Sequence, residues 1–226
     1  MSRLVAVLRP EPGNSATVAR AQALGLEALA LPLFAVESLP WVVPNPAGFD
    51  ALVLTSANSV RAAGPGLDRL SALPVLAVGS ATAAAARAAG FDVMTVGTTD
   101  AAALLAAAGA AGMQRVLHLG GRESMVSIGG IVAESLAVYA SNSVSVPVPM
   151  LARLIDGIAL LHSPRAGQRL AALIDIAGLP RARIMIAALS EAVATAAGAG
   201  WQAAIIAAHP ADDALLAQVA AIARHD

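Results

Sequence analysis

The chain contains no cysteine. That excludes disulfides, thiol nucleophiles, Cys-ligated zinc and Cys-bound iron–sulfur clusters. It contains no lysine either, because all 14 basic residues are arginines. Schiff-base chemistry, attachment of pyridoxal phosphate and the P-loop lysine are thereby excluded. Charged residues make up only 13% of the chain, aromatic residues 3%, and the formal net charge is −1. Such a chain lacks the polybasic surface that holds nucleic acid, so no nucleic-acid partner is expected. A membrane helix is not expected either. Ile184 to Ala208 carries only Glu191 and Gln202 as strongly polar side chains, but it is mostly alanine and is interrupted by Ser190, Thr195, Gly198 and Gly200. It reads as a buried strand, a helix and another buried strand rather than a span. The apolar run Leu4 to Leu8 ends at Arg9-Pro10 and is too short for a signal-peptide core, so a cytoplasmic chain is the expectation.

What is present is apolar material in an alternating order. The 226 residues are 58% hydrophobic, which excludes a disordered tail. The length is about 1.5 times that of a typical single domain and fits one large domain or two small ones. Leu4 to Leu8 reads as a buried parallel strand. A helix follows, capped by Asn14 or Ser15 and ending near Leu24, with Gly25 at its C′ position. Further strands are expected at Ala28–Leu31, Asp50–Thr55, Pro74–Val78, Asp92–Val96 and Arg115–Leu119, the last before a turn Gly120-Gly121-Arg122. Helices are expected at Ser56–Ala63, Ser80–Ala89 and Asp100–Ala108. Alternation of this kind predicts an α/β fold with parallel sheets covered by helices on both faces.

The pattern occurs twice. Gly90-Phe91-Asp92-Val93 has a counterpart in Gly200-Trp201-Gln202-Ala203, and the same offset sets Ser80 on Ser190 and Leu105 on Leu215. Asp50-Ala-Leu-Val-Leu resembles Asp156-Gly-Ile-Ala-Leu, and Ser56-Ala-Asn resembles Ser163-Pro-Arg. A two-fold repeat of a βα module predicts two similar α/β domains, because a solenoid needs at least three units. Leu33 to Pro46 and Ala137 to Pro149 stand outside the repeat; both read as extended, and their prolines disfavour helices and central strands. The expected boundaries are 1–36 with 147–226 for a discontinuous domain, 42–140 for an inserted domain, and 37–41 and 141–146 for connectors.

Ligands of open α/β sheets bind beyond the carboxyl ends of the strands, where helix N-termini favour anions. The polar residues at those ends are Arg9; Thr55, Ser56 and Asn58; Ser80 and Thr82; Arg122 and Glu123; His162, Ser163 and Arg165; and Ser190. Small hydroxyls, an amide and a few arginines suit hydrogen bonding to carboxylates or phosphates. Ser56, Ser80, Ser163 and Ser190 also sit where helix N-caps belong. Arg122 with Glu123 also reads as an exposed pair, His162 as a strand-end histidine and His118 as a structural strand residue. His209 falls in a loop and His225 in the tail. No histidine pair has the spacing of a metal site. Dinucleotide-binding, Walker A, nucleophile-elbow and zinc-protease motifs are absent.

Arg9-Pro10 follows the first strand, Leu54-Thr55-Ser56-Ala57-Asn58-Ser59-Val60 the third, and Ala77-Val78-Gly79-Ser80-Ala81-Thr82 the fourth. Then come Leu117-His118-Leu119-Gly120-Gly121-Arg122-Glu123, Val138-Tyr139 and Leu160-Leu161-His162-Ser163-Pro164. In that order, and over nearly the whole chain, these residues resemble the uroporphyrinogen-III synthase family. The resemblance implies two α/β domains joined by a two-stranded β connection, with a cleft between them. It implies conversion of hydroxymethylbilane, a linear tetrapyrrole with eight carboxylates, into uroporphyrinogen III with ring D inverted through a spiro intermediate and water lost. No metal or organic cofactor is implied. Thr55, Ser56, Asn58, Ser80, Thr82, Arg122, Ser163 and Ser190 would line the cleft, and Arg9 and His162 complete the expected substrate-binding set. Tyr139 matches a family tyrosine near the inverting ring and would assist departure of the hydroxyl, or would serve as a hinge aromatic. The chain departs from the family pattern at Leu8 and His162, which replace threonines, at Ala188-Leu189-Ser190-Glu191, and at the Gly/Ser-rich Ser124–Gly130 where a helix is expected. The alternative is a non-catalytic two-domain module closing on a small anionic ligand. Two domains clasping one ligand fit a monomer.

Overall fold

The computed structural model describes residues 3–97 and 100–223; His225 lies outside the described residues. The chain begins with β1 (Val5–Val7), α1 (Gly13–Ala23), β2 (Ala28–Ala30) and β3 (Phe34–Ser38). An alternating stretch follows: β4 (Ala51–Leu54), α2 (Ala57–Ala62), β5 (Val75–Val78), α3 (Ser80–Ala88), β6 (Val93–Gly97), α4 (Ala101–Ala110) and β7 (Val116–Gly121). The long β8 (Val132–Ser143) and the short α5 (Val148–Ala152) lead to a second alternating stretch. That stretch is β9 (Ile158–Leu161), α6 (Pro164–Ile176), β10 (Met185–Ala188), α7 (Glu191–Ala197), β11 (Ala203–Ile206) and α8 (Asp212–Ala223). Two compact units result, one of residues 1–35 and 143–226, the other of residues 36–142.

The first unit holds a five-stranded sheet in the order β11-β10-β9-β1-β2, parallel throughout. Successive strand residues point to opposite faces. Ala6, Leu8, Ala159, Leu161, Ile186 and Ala188 therefore pack on one face with Leu170, Ile174 and Val193 of α6 and α7. Val5, Val7, Ile158, Leu160, Met185 and Ala187 pack on the other with Ala21, Leu215, Leu216 and Val219 of α1 and α8. Both faces are buried, which is why the strands read as unbroken apolar runs. Gly167 lets α6 approach α7 closely; a β-carbon there would stand 3.1 Å from the Val193 carbonyl oxygen.

The second unit holds a six-stranded sheet, β3-β8-β7-β4-β5-β6. Its pairs β8-β7, β7-β4, β4-β5 and β5-β6 are parallel. Leu52, Leu54, Leu117 and Leu119 pack on one face with Leu70, Ala83 and Phe91; Ala51, Val53, Leu76 and Val116 pack on the other with Leu104 and Ala108 of α4. At the ends of β3 and β8, Val144 N donates to Leu33 O (3.0 Å) and Leu39 N to Val138 O (2.9 Å). The partner number falls as the first rises, so the two chain crossings run antiparallel.

The repeat is visible in the sheets. β4-β5-β6 and β9-β10-β11 occur as adjacent parallel strands with the same intervening helices. Asp50 N donates to Arg115 O (2.7 Å) just before β4, and Asp156 N to Arg183 O (2.6 Å) just before β9. Each aspartate also holds the strand ahead. Asp50 Oδ2 accepts from Gln114 N and Arg115 N, and the Asp156 carboxylate from the Arg183 guanidinium. Both aspartates lie at the amino ends of their strands, opposite the expected site.

Several local expectations are corrected. α1 begins at Gly13, before either expected cap; Pro12 holds the cap position without a side-chain capping bond, and Glu11 just ahead of it accepts from Ser15 N (3.0 Å) and Ser15 Oγ (2.7 Å). Gly120 and Gly121 belong to β7 rather than to a turn. β8 begins at Val132, ahead of the expected extended segment, and lies inside its sheet between β3 and β7. The segment ending at Pro149 enters a helix: Val148 and Pro149 open α5, where a missing N–H costs no hydrogen bond. No helix among the described residues is long and apolar enough to cross a membrane.

Candidate functional site

In the second unit the carboxyl ends of β4, β5 and β7 gather the expected polar residues. Thr55 follows β4, and its Oγ1 lies 3.2 Å from His118 Nε2. His118 is fully buried on β7, and its Nδ1 lies 2.8 Å from Ser135 Oγ on β8. Burial pushes the imidazole down to about 4, so the ring is neutral and the two hydroxyls supply one donor and one acceptor. His118 is thus structural, and it orients Thr55. Its ring occupies the space beside Gly120, where a β-carbon would lie 2.4 Å from Cε1.

The four repeated serines divide. Ser56 Oγ accepts from Asn58 N (3.1 Å), and Ser163 Oγ accepts from Ala166 N (3.2 Å). Both are N-caps. Ser190 occupies the cap position of α7 but makes no side-chain capping bond. Ser80 is not a cap: it is the first helical residue of α3, whose cap is Gly79 at φ +80°. That angle is cheap only for glycine. Ser80 is exposed, Thr82 is buried, and the first turn of α3 carries neither a side-chain cap nor an acidic residue. The positive end of this helix is therefore not neutralised from within its first turn.

Arg122 is not a plain exposed pair with Glu123. Its Nε donates to Glu123 Oε1 (3.2 Å) and its Nη2 to Asn142 Oδ1 (2.9 Å). Glu123 Oε2 accepts from Ser141 N (2.9 Å), and Asn142 Nδ2 donates to Glu37 Oε2 (2.7 Å). Partial burial opposes ionisation of Glu123, but the Ser141 amide and the Arg122 guanidinium hold its carboxyl below the ordinary value. The Arg122 side chain, 56% exposed, is braced against β8 through Asn142 without help from the missing helix at Ser124–Gly130. Asn58 accepts through Oδ1 from Arg61 (3.2 Å). Tyr139 is only 6% exposed and packs in the core beside Leu117 and Leu119.

In the first unit the corresponding ends bring together Arg9, His162, Ser163 and three residues that sequence reasoning missed: Thr17, Arg20 and Asp212. His162 Nε2 lies 2.6 Å from Asp212 Oδ1. Oδ2 accepts from Thr17 Oγ1 (2.9 Å) and from Arg20 Nε (2.9 Å), with a further contact from Arg20 Nη2. Arg9 Nη1 lies 3.8 Å from Oδ1. Burial would raise the Asp212 carboxyl, but the donors from His162, Arg20 and Thr17 hold it well below the carboxylate range. Burial lowers His162, and Asp212 only partly offsets this, so the ring is neutral and gives its single N–H to Asp212. His162 Nδ1 is buried without a partner, consistent with a bare lone pair. The one local signal for Asp212 was an acidic pair opening a helix; nothing near it in sequence marks His162, 50 residues away, as its partner.

Comparison with known proteins gives this arrangement a context. No curated protein matches the chain by sequence. Solved structures do match it: uroporphyrinogen-III synthetase from Helicobacter pylori 26695 superposes with a TM-score of 0.65 at 18% identity, covering 98% of this chain and 100% of the other. A mutant uroporphyrinogen III synthase from the extremely thermophilic bacterium Thermus thermophilus gives 0.56 at 19% identity, covering 99% of each chain. At such identities the likeness is one of fold, and it is the two-unit parallel α/β fold described above. The family profile described as "Uroporphyrinogen-III synthase HemD" matches residues 15–217, from α1 into α8 and so through both units. With the fold and nearly the whole sequence in agreement, the chain belongs to the uroporphyrinogen-III synthase family.

Proposed function

We propose that the chain cyclises hydroxymethylbilane to uroporphyrinogen III as a hydro-lyase, inverting ring D and releasing the terminal hydroxyl as water. The observation that carries this reading is the family match over residues 15–217. The chemistry of the strand ends agrees with it. A substrate with many carboxylates calls for hydroxyls, arginines and helix N-termini more than for nucleophiles. The unneutralised N-terminus of α3 with Ser80 suits one carboxylate. Thr55, Ser56, Asn58 and Arg122 supply further donors in the second unit, and Arg9, Ser163 and Ser190 in the first; Thr82 and the neutral His162 pack beneath. On this reading these donors do the main work by positioning, folding the bilane so that its substituted carbon meets the reactive terminus. Tyr139 donates a hydrogen bond to the departing hydroxyl, easing C–O cleavage as water leaves. The enzyme works as a cytoplasmic monomer on this small tetrapyrrole.

The test is a coupled assay. Hydroxymethylbilane is supplied, the products are oxidised, and the porphyrin isomers are separated. Isomer III is expected; isomer I alone, the spontaneous product, would sink the proposal.

A further inference from the structure

Asp212 reaches Arg9 by two routes. One is the direct approach of Nη1 to Oδ1 at 3.8 Å. The other runs through Thr17, whose Oγ1 accepts from Arg9 Nη1 (3.4 Å) and donates to Asp212 Oδ2 (2.9 Å). Gly13 completes the seat: a β-carbon there would stand 2.4 Å from Arg9 Nε, so the guanidinium lies against the first turn of α1. Fixing an arginine side chain costs rotamer entropy. Where folding has already met that cost, a ligand does not meet it again.

The charges around Asp212 are arranged so that the carboxylate does not itself repel an anion. Arg20 pairs with it directly, and His162 adds a hydrogen bond without adding charge. Around this one carboxylate stand two guanidinium groups, Arg9 and Arg20. The cluster sits where β1 and β9 end and where α8 begins, with all members inside one unit.

We propose that Asp212 is a positioning residue: it holds Arg9 in the orientation in which the guanidinium takes a carboxylate of the substrate. The inference rests on the synthase reading, which supplies a polycarboxylate ligand. A carboxylate buried among Arg9, Thr17, Arg20 and His162 also contributes to stability, so the loss of activity in one variant would not separate the two roles.

A double-mutant cycle separates them. Asp212→Asn, Arg9→Gln and the double variant are compared by KM for hydroxymethylbilane and by Kd for uroporphyrin III, a stable octacarboxylate read by its fluorescence. Each single change is expected to weaken both constants about tenfold, the worth of about one charged contact, with kcat within about twofold. The double variant is expected to be no worse than Arg9→Gln alone. Singles that multiply to about a hundredfold, or Asp212→Asn binding like the parent, would overturn the proposal. Should Asp212→Asn fail to fold, Thr17→Val cuts the relay with little change of volume, and the same cycle applies to it. Formation of isomer I alone by the parent protein would sink the synthase reading separately; the uroporphyrin cycle would still judge Asp212.

Discussion

The Tyr139 ring lies against the α-carbon of Gly121, so close that a β-carbon on Gly121 would stand 2.6 Å from Cζ and 2.9 Å from the phenol oxygen. The two residues face each other in register across β7 and β8, at a point where the pairing shifts. Gly121 has φ −84°, so space rather than backbone conformation demands glycine there. Gly121→Ala should destabilise the protein by about 1–3 kcal/mol through overpacking, measured by urea unfolding. Tyr139→Phe keeps the packing and removes the donor. It should lower turnover while leaving the unfolding midpoint nearly unchanged, and unaltered turnover would dismiss the proposed role for the phenol.

The division among the serines yields opposite expectations for one substitution. Ser56→Ala and Ser163→Ala each remove a cap and should cost about 1 kcal/mol of stability. Ser80→Ala and Ser190→Ala remove no capping bond and should leave the unfolding midpoint in place. Ser80→Asp is more telling. It sets a carboxylate at the positive end of α3, which favours the helix, yet it should raise KM for a carboxylate-rich substrate. Steady-state kinetics beside thermal melts would read both effects.

His118 makes stability depend on pH. In the unfolded chain it takes up a proton near 6.5, whereas in the fold burial delays this to about 4. Between those values the unfolded state binds more protons, so stability rises with pH. The contribution is fully present above 6.5 and lost as pH falls towards 4, amounting to about 3 kcal/mol at most. His118→Gln should flatten the slope of unfolding free energy between pH 4 and 6.5. His162 shifts in the same direction, so a smaller slope should remain. An unchanged slope would show that His118 is not the buried base.

Arg169 of α6 holds both chain crossings. Its Nη2 donates to Val144 O (2.6 Å) and its Nε to Leu33 O (3.2 Å), while its guanidinium lies 5.7 Å from the Phe34 ring centre. Arg169→Met keeps most of the apolar stem but leaves Val144 O without this donor. A loss of about 1–3 kcal/mol is expected by urea unfolding. Arg169→Lys should recover only part of it, since one ammonium cannot reproduce the planar fork.

Much of this protein follows from its local patterns. Short apolar runs punctuated by glycine and proline specify strands buried on both faces, and the spacing of Ser56 and Ser163 after such runs specifies two helix caps. The repeat of Asp50 and Asp156, Ser80 and Ser190 predicts two similar sheets, because hydrophobic periodicity and capping act over a few residues and are written where they act. Other features depended on which strands became neighbours and in what register. Gly120 and Gly121 read as a turn, yet they are strand residues, emptied of side chains so that His118 and Tyr139 can fill the space. Ser80 reads as a cap, yet the positive φ of Gly79 moved the cap back by one position. Asp212 meets Thr17 across 195 residues of sequence, a pairing that exists only once α1 and α8 cover the same face of one sheet. Contacts of that kind carry no local signature, since the energy that forms them comes from burial of the whole layer rather than from either residue.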